Sequence, residues 1–387
     1  MHASVRQGGI GVRALRLTFG LAAASLSCLL PRAALAVTFD LREGATEMSR
    51  RIQSLHHMSL GVCVVVGIIV FGAMAWSVVA HRRSRRPTPA RFHENTVVEI
   101  AWTAVPALII IGMAIPATMA LVEVEDNSDA DLSIVVTGSQ WKWHYRYLEA
   151  GIAFYSNKTT PQAQIDNLEP KGEHYLLDVD RPLMLPADRK VRFLTTSDDV
   201  IHSWWAPDLA VKQDAIPGFI NEAWTRTEKP GVYRGQCAEL CGKGHAFMPV
   251  VVEVLPEEEF DAWINGQRQA MEGASAAAVA ARSRDWSMDE LLQRGEKIFL
   301  DNCAECHQRD GSGQGSKYPA LAGSNIVNGP IEGHLDRVMN GKADTEMQAW
   351  APQLSDLDLA AVITYERNSF GNDTGDVIQP MNVYRAR

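Results

Sequence analysis

The spacing of apolar and polar positions changes several times along the chain, and each change marks a different kind of element. Leu17 to Leu30 is an apolar run, preceded by Arg6, Arg13 and Arg16 and succeeded by Ala34-Leu35-Ala36. This is the layout of a secretory signal over residues 1–36, and the run is short for a membrane span. A third, uncleaved anchor is the other reading of the same run. After a segment at 37–57, Met58 to Ala80 carries no charge and is long enough to cross a bilayer. Val97 to Val122 is similar except for Glu99, Pro106 and Pro116, and membrane helices tolerate such prolines. The loop between them, 81–96, holds His81-Arg82-Arg83-Ser84-Arg85-Arg86 and Arg91. Beyond the second span come Glu123, Glu125, Asp126, Asp129 and Asp131. The positive-inside rule therefore predicts a cytoplasmic loop, with everything after about residue 123 on the outer, periplasmic side of a bacterial inner membrane.

From Leu132 to about Leu255 the period shortens to that of strands. Leu132-Ser-Ile-Val-Val-Thr137, Lys190-Val-Arg-Phe-Leu-Thr195 and Pro249-Val-Val-Val-Glu-Val254 are separated by turn signals such as Pro217-Gly218 and Pro230-Gly231. The pattern predicts a β-sandwich or barrel over 123–268, closed by a helix from Pro256 to about Met271. Ala270 to Arg284 lacks large apolar residues and reads as a linker, partly helical, over 269–286. A helical period resumes with Leu291, Leu292, Ile298 and Phe299, which predicts a third, all-α region over 287–373 and a tail at 374–387. Ser355 to Asn368 is its last expected helix.

Composition changes this picture little. The net charge of −9 and the lack of a polybasic stripe in the soluble part exclude a nucleic-acid partner and permit docking to a basic protein. Asp178, Asp180 and Asp199 are acidic residues that either steer such a donor or are solvated surface. The six cysteines are too few and too clustered for a disulfide framework. Cys28 falls in the signal segment and Cys63 in a span; the other four form two close pairs.

The densest chemistry is Cys237-Ala-Glu239-Leu-Cys241-Gly-Lys-Gly-His245-Ala-Phe-Met248. Soft sulfur with imidazole selects copper or zinc over oxygen-loving ions, and the thioether of Met248 weighs toward copper. A Cys237–Cys241 disulfide with an idle histidine is the bland alternative. The run resembles the copper A motif of cytochrome c oxidase subunit II, Cys-x-Glu-x-Cys-x-x-x-His-x-x-Met, at every defined position. Asp199-Val-Ile-His202-Ser-Trp-Trp-Ala-Pro and Val211-Lys-Gln-Asp-Ala-Ile-Pro-Gly218 extend the resemblance, which covers roughly residues 1–268.

The resemblance implies a cupredoxin-like β-domain behind a two-helix hairpin. It implies that Cys237 and Cys241 bridge two copper ions, that His202 and His245 each supply an imidazole nitrogen, and that Met248 and the carbonyl of Glu239 are weak ligands. It also implies a magnesium ion bound by the Glu239 side chain against a catalytic subunit. Gly138-Ser-Gln-Trp141-Lys-Trp143 matches the family's aromatic segment, in which Trp141 holds the position that receives the electron. Lys142 departs from the family, which often has a third aromatic there. Glu99, in Glu99-Ile-Ala-Trp-Thr103, resembles the glutamate at the mouth of the family's proton-uptake path.

Cys303-Ala-Glu-Cys306-His307 is a c-type haem attachment motif, with two thiols for the vinyl groups and an adjacent axial histidine. A Gly-rich loop comes next at Asp310–Gly315, and Tyr318-Pro-Ala-Leu-Ala-Gly323 resembles a class I cytochrome c. The sixth ligand is expected to be a methionine. Met339 lies in a helical pattern and reads as core, whereas Met347 lies in a loop and is preferred. A fused haem behind copper A resembles the caa3-type oxidase subunit II. It implies cytochrome c as donor, a catalytic subunit I among other membrane partners, and dioxygen reduction with proton pumping. A nitric oxide reductase subunit and a non-catalytic redox or copper protein are the alternatives.

Overall fold

The computed structural model describes residues 40–88, 93–343 and 345–387. The expected signal over 1–36, together with Arg91 and Asp344, lies outside them. Residues 40–43 belong to a separate unit, in which the Leu41 N–H donates to Asp40. Gly44–Arg387 forms the other, which holds both membrane helices, the β-domain and the helical domain.

The first helix, α1 (Glu47–Ala80), begins well before the apolar run at Met58. Its polar first turns are set by a capping box: the Ser49 N–H donates to Thr46 Oγ1 (2.9 Å) and the Thr46 N–H to Ser49 Oγ (3.0 Å). Hydropathy alone reads only the part of this helix that suits lipid. Helix α2 (Thr96–Val124) is capped by Asn95 and keeps Pro106 and Pro116 inside it. Arg51 and Glu123 pair across the two helices at the end nearest the β-domain. Ile68, Phe71 and Val97 are 69%, 71% and 77% exposed, an apolar surface that suits lipid or a partner helix.

Among the described residues, ten strands form two five-stranded sheets. One is ordered β3-β2-β1-β5-β8, from Ile152–Ser156, Lys142–Tyr147, Leu132–Ser139, Lys190–Ser197 and Asn221–Arg226. The other is β4-β10-β9-β6-β7, from Leu183–Pro186, Pro249–Leu255, Gly231–Cys237, His202–Ala206 and Val211–Ala215. The pairs β1–β5 and β4–β10 are parallel and the remainder antiparallel. Alternate residues along β5 are buried, as half-covered strands require. Trp143, Tyr145, Tyr147, Phe193 and Trp204 are fully buried between the sheets. Two polar tips find partners: Trp204 Nε1–H donates to the Tyr145 hydroxyl (3.2 Å), and the Tyr147 hydroxyl to the Met184 carbonyl (2.8 Å). A single-turn helix, α3 (Gln162–Ile165), sits in the β3–β4 connection.

The Ala/Ser-rich stretch continues the closing helix. Helix α4 (Glu257–Arg282) is unbroken through it, because alanine has the highest intrinsic helix propensity and three glutamates occupy the first turn. Its near end buries Phe260 and Ile264 on the β-domain, and at its far end Arg282 pairs with Asp356 at 2.6 Å. The chain beyond it is helical: α5 (Met288–Asn302), α6 (Ala304–His307), α7 (Ile331–Asn340), α8 (Asp356–Arg367) and α9 (Pro380–Ala386). Helices α5 and α8 cross at Gly295, where a Cβ would lie 2.2 Å from the Ala361 carbonyl oxygen. The segment read as a tail supplies Ile378 and Val383 to this core.

Candidate copper and haem sites

His202 opens β6 and Cys237 closes β9, while Cys241, His245 and Met248 come from the loop that returns to β10. The Cys237 and Cys241 sulfurs are 3.8 Å apart. That is far beyond the roughly 2.05 Å of a disulfide. His202 Nδ1 lies 4.0 Å from the Cys237 sulfur and His245 Nδ1 lies 3.6 Å from the Cys241 sulfur. Ligand atoms of His202, Cys237 and Cys241 all fall within 4.8 Å of one another. Each imidazole thus presents the same nitrogen to a thiol pair, one from each side. Metal–thiolate bonds run to about 2.3 Å, so an ion on either side of the sulfur–sulfur line reaches both sulfurs. The donor set fits a two-copper centre. The Glu239 carbonyl lies 3.3 Å from the Cys237 sulfur, its side chain is exposed, and Met248 is 1% exposed beside the cluster.

The surroundings fix the ligands. The His202 Nε2–H donates to Asp199 (2.8 Å), which leaves Nδ1 as the free lone pair facing the thiols. Asp199 also accepts from the backbone N–H of Gln140 and Val200, and its carboxyl lies below the usual range: burial opposes this, but those hydrogen bonds prevail. Sequence reading left Asp199 open as solvated surface or donor steering. Its carboxylate is instead turned onto a ligand, and the signal was its position three residues before His202. Gly138 gives the ring room, since a Cβ there would meet His202 Cδ2 at 2.8 Å. Without metal, the Cys241 thiol as hydrogen-bond partner pulls Cys237 toward thiolate, and the same contact raises Cys241.

Trp141 is wired to the cluster through the backbone. Its Nε1–H donates to the Cys241 carbonyl at 3.1 Å, which also accepts from the Gln140 amide at 2.8 Å. Its ring lies against Gly244, where a Cβ would come within 2.3 Å. Asp178 and Asp180, by contrast, pair with Arg234 and Asn157 at the surface. Glu99 lies in the first turn of α2, exposed, at the basic-loop end and away from the β-domain.

In the helical domain, Cys303 caps α6 and Cys306 lies within it, both as free thiols. Burial pushes Cys306 up to about 11 and Cys303 well above the ordinary value, so both stay neutral, unlike Cys237. Neutral thiols are poor metal ligands. The His307 Nδ1–H donates to the Pro319 carbonyl at 2.9 Å, which orients the ring and leaves Nε2 for an iron. Met339 is 3% exposed in the core, and Met347 packs, partly exposed, on the rim of that core. The residues fit a c-type haem.

A membrane hairpin, a two-sheet β-domain with paired thiols and imidazoles, and a helical domain with a haem-attachment motif define a membrane-anchored copper and haem redox protein. Family models narrow the class. Residues 132–255 match the periplasmic domain of cytochrome c oxidase subunit II, 34–119 its transmembrane domain, and 290–365 the cbb3-type cytochrome c oxidase subunit III. The chain is 37% identical over 238 residues to a probable cytochrome c oxidase subunit 2 of Rickettsia bellii, covering 61% of this chain and 87% of that one. It is 34% identical over 237 residues to the cytochrome c oxidase subunit 2 of Cereibacter sphaeroides, covering 58% and 78%. The crystal structure of the periplasmic domain of subunit II of the Bradyrhizobium japonicum oxidase is 38% identical, covers 37% of this chain and 96% of its own, and has a TM-score of 0.33. The chain belongs to the cytochrome c oxidase subunit II family, with a cytochrome c domain fused behind it. It is a membrane-anchored subunit of a haem-copper oxidase, and its two domains imply copper A and haem c.

Proposed function

We propose that electrons come into a haem-copper terminal oxidase at this subunit. They pass from cytochrome c, by way of the c-type haem and the binuclear copper A centre, to a catalytic subunit I that reduces dioxygen to water and pumps protons. The observation that carries this reading is the pair of imidazole Nδ1 atoms flanking two thiols at 4.0 and 3.6 Å. Cys237, Cys241, His202 and His245 would hold the coppers, with Met248 and the Glu239 carbonyl as weak ligands. When bound, the two coppers would share one electron across both thiolates.

The chain's own part is to keep the ligands still. Asp199 fixes the His202 tautomer, Gln140 and Trp141 clamp the Cys241 carbonyl, and both sheets exclude water from His202, which is fully buried. A site so filled by protein is suited to passing electrons and poorly suited to binding dioxygen. Cys303, Cys306, His307 and Met347 would hold the haem, with Pro319 orienting His307. Trp141, bonded to the backbone of a copper ligand, is the natural point at which the electron crosses. The exposed Glu239 carboxylate would bind magnesium against the catalytic subunit, since hard oxygen suits that ion. Glu99, at the basic-loop end of α2, would mark the mouth of a proton path on the cytoplasmic side, with the copper and haem domains periplasmic.

The test uses the purified oxidase complex supplied with reduced cytochrome c, in wild type, His245→Ala and Met347→Ala, with dioxygen and nitric oxide uptake recorded together. Loss of dioxygen uptake in His245→Ala, with slowed haem-to-copper transfer in Met347→Ala, is expected. Dioxygen uptake untouched by His245→Ala would overturn the reading.

A further inference from the structure

Lys142 stands where the family often has an aromatic, and its environment explains the difference. Its ammonium sits 4.2 Å from the ring centroid of Trp350, a residue of the haem domain, and 5.4 Å from that of Tyr155. Lys142 is 6% exposed and Trp350 5%. The backbone N–H of Trp350 donates to the Val338 carbonyl at 3.1 Å, which anchors the residue to the haem-domain core. On one side of Lys142, the Gln348 amide donates to the Gln140 carbonyl at 3.0 Å. Further along, Lys243 donates to the Glu305 carbonyl (3.2 Å) and the Gln314 side chain (3.3 Å).

The positions of these residues matter more than their number. Gln140 and Lys142 flank Trp141, and Lys243 lies between Cys241 and His245. Glu305 lies between Cys303 and Cys306, and Gln348 is next to Met347. The contacts from Gln140, Lys142 and Lys243 to Gln348, Trp350, Glu305 and Gln314 therefore join the copper loop or its aromatic segment to the haem-holding part of the chain. Burial brings Lys142 down to about 7 by disfavouring its charged form, and the Trp350 face at 4.2 Å favours the cation in return.

We propose that the Gln140–Lys142 face of the copper domain is a docking surface for the chain's own haem domain, latched by Lys142 on Trp350, so that an outside donor is confined to the haem domain. This rests on the electron-input reading and adds to it the identity of the group that covers Trp141. The cation replaces an aromatic because its partner is a tethered tryptophan rather than a protein that arrives and leaves. Lys142 is a positioning residue. Tethering through α4 keeps the local concentration of the haem domain high, so a modest latch suffices to hold it closed.

The experiment uses the full oxidase complex in wild type, Lys142→Met, Trp350→Leu and the double variant. Haem c is reduced by a light pulse and its electron transfer to copper is timed. In parallel, hydroxyl-radical labelling reads the accessibility of Trp350, and the haem midpoint potential is titrated. Expected are transfer slowed about tenfold in each single variant and no further in the double, Trp350 labelling raised in Lys142→Met, and an unchanged haem potential. If Trp350 is labelled as readily in wild type as in Lys142→Met, or transfer keeps its rate in both single variants, the docking proposal fails. Mixing with reduced cytochrome c separates the two readings. Copper reduced before haem would sink the docked arrangement and leave the electron-input reading standing. Copper reduced by neither route would sink both.

Discussion

The copper and haem sites are built on opposite principles. The proposed copper ligands come from β6, the end of β9 and the loop before β10, and a rigid two-sheet frame brings them together with their supports, Asp199 and Gly138, already in place. The proposed haem residues His307, Cys303 and Cys306 come from one short segment around α6, and the partly buried Cys303 and Met347 line a core of small helices. The first site is assembled from strands distant in the chain, whereas the second gathers its thiols and imidazole in one segment. The thiols differ accordingly. Cys237 is drawn toward thiolate by its neighbour, while Cys303 and Cys306 are kept neutral by burial. Two cysteine pairs of similar spacing thus suit two chemistries because their environments differ.

The sharpest way to break this contrast is the paired substitution Cys303→Ala with Cys306→Ala. Covalent haem, read by haem staining after denaturing electrophoresis, is expected to vanish entirely, and the helical domain to become protease-sensitive, while copper per chain stays near the wild-type value. Collapse of both sites together would mean that they do not fold independently. The converse is Cys241→Ser, for which bound copper per chain is expected to fall at least about tenfold while the β-domain still folds cooperatively, since its aromatic core does not depend on the metal. A milder probe is Asp199→Asn, which keeps the shape and removes the charge that orients His202; copper affinity in a chelator competition is expected to fall about 10–100-fold.

Gly138→Ala tests the frame itself. The added methyl would meet the His202 ring, and a loss of about 1–3 kcal/mol in thermal unfolding of the copper domain is expected, with little change at the haem. The smallest effect concerns acid stability of the haem domain. Arg367, 3% exposed, hydrogen-bonds Asp376 and holds that carboxyl below its ordinary value of 3.8. A depressed carboxylate lends stability that is complete above its unfolded value and fades as pH falls through the folded one. Asp376→Asn is therefore expected to be the less stable chain at neutral pH, with the gap closing on acidification below about 4 in pH-dependent denaturant titrations of the haem absorbance.

The membrane hairpin, the strands and the haem motif were legible because each rests on local chemistry: long apolar runs, alternation, and a five-residue Cys-x-x-Cys-His signature. The run from Cys237 to Met248 was legible for the same reason, being twelve residues of one loop. Other features were not. The first turns of α1 are polar and held by a cap, so hydropathy missed them. The Ala/Ser stretch reads as a partly helical linker, and propensity with anchors at both ends makes it helix as far as Arg282. Residues 374–387 read as a tail, yet Ile378 and Val383 fill the helical core.

By itself, then, the sequence determined which elements exist and which residue types can bind a soft metal or a haem. These rest on side-chain chemistry and on periods a few residues long. Only the tertiary structure decided that Asp199 serves His202, and that Lys142 meets Trp350 across the seam where Gln140 and Gln348, 208 positions apart, are hydrogen-bonded. A buried cation or carboxylate takes its role from whatever desolvates it, and that partner is chosen by how the domains pack rather than by neighbours in the chain.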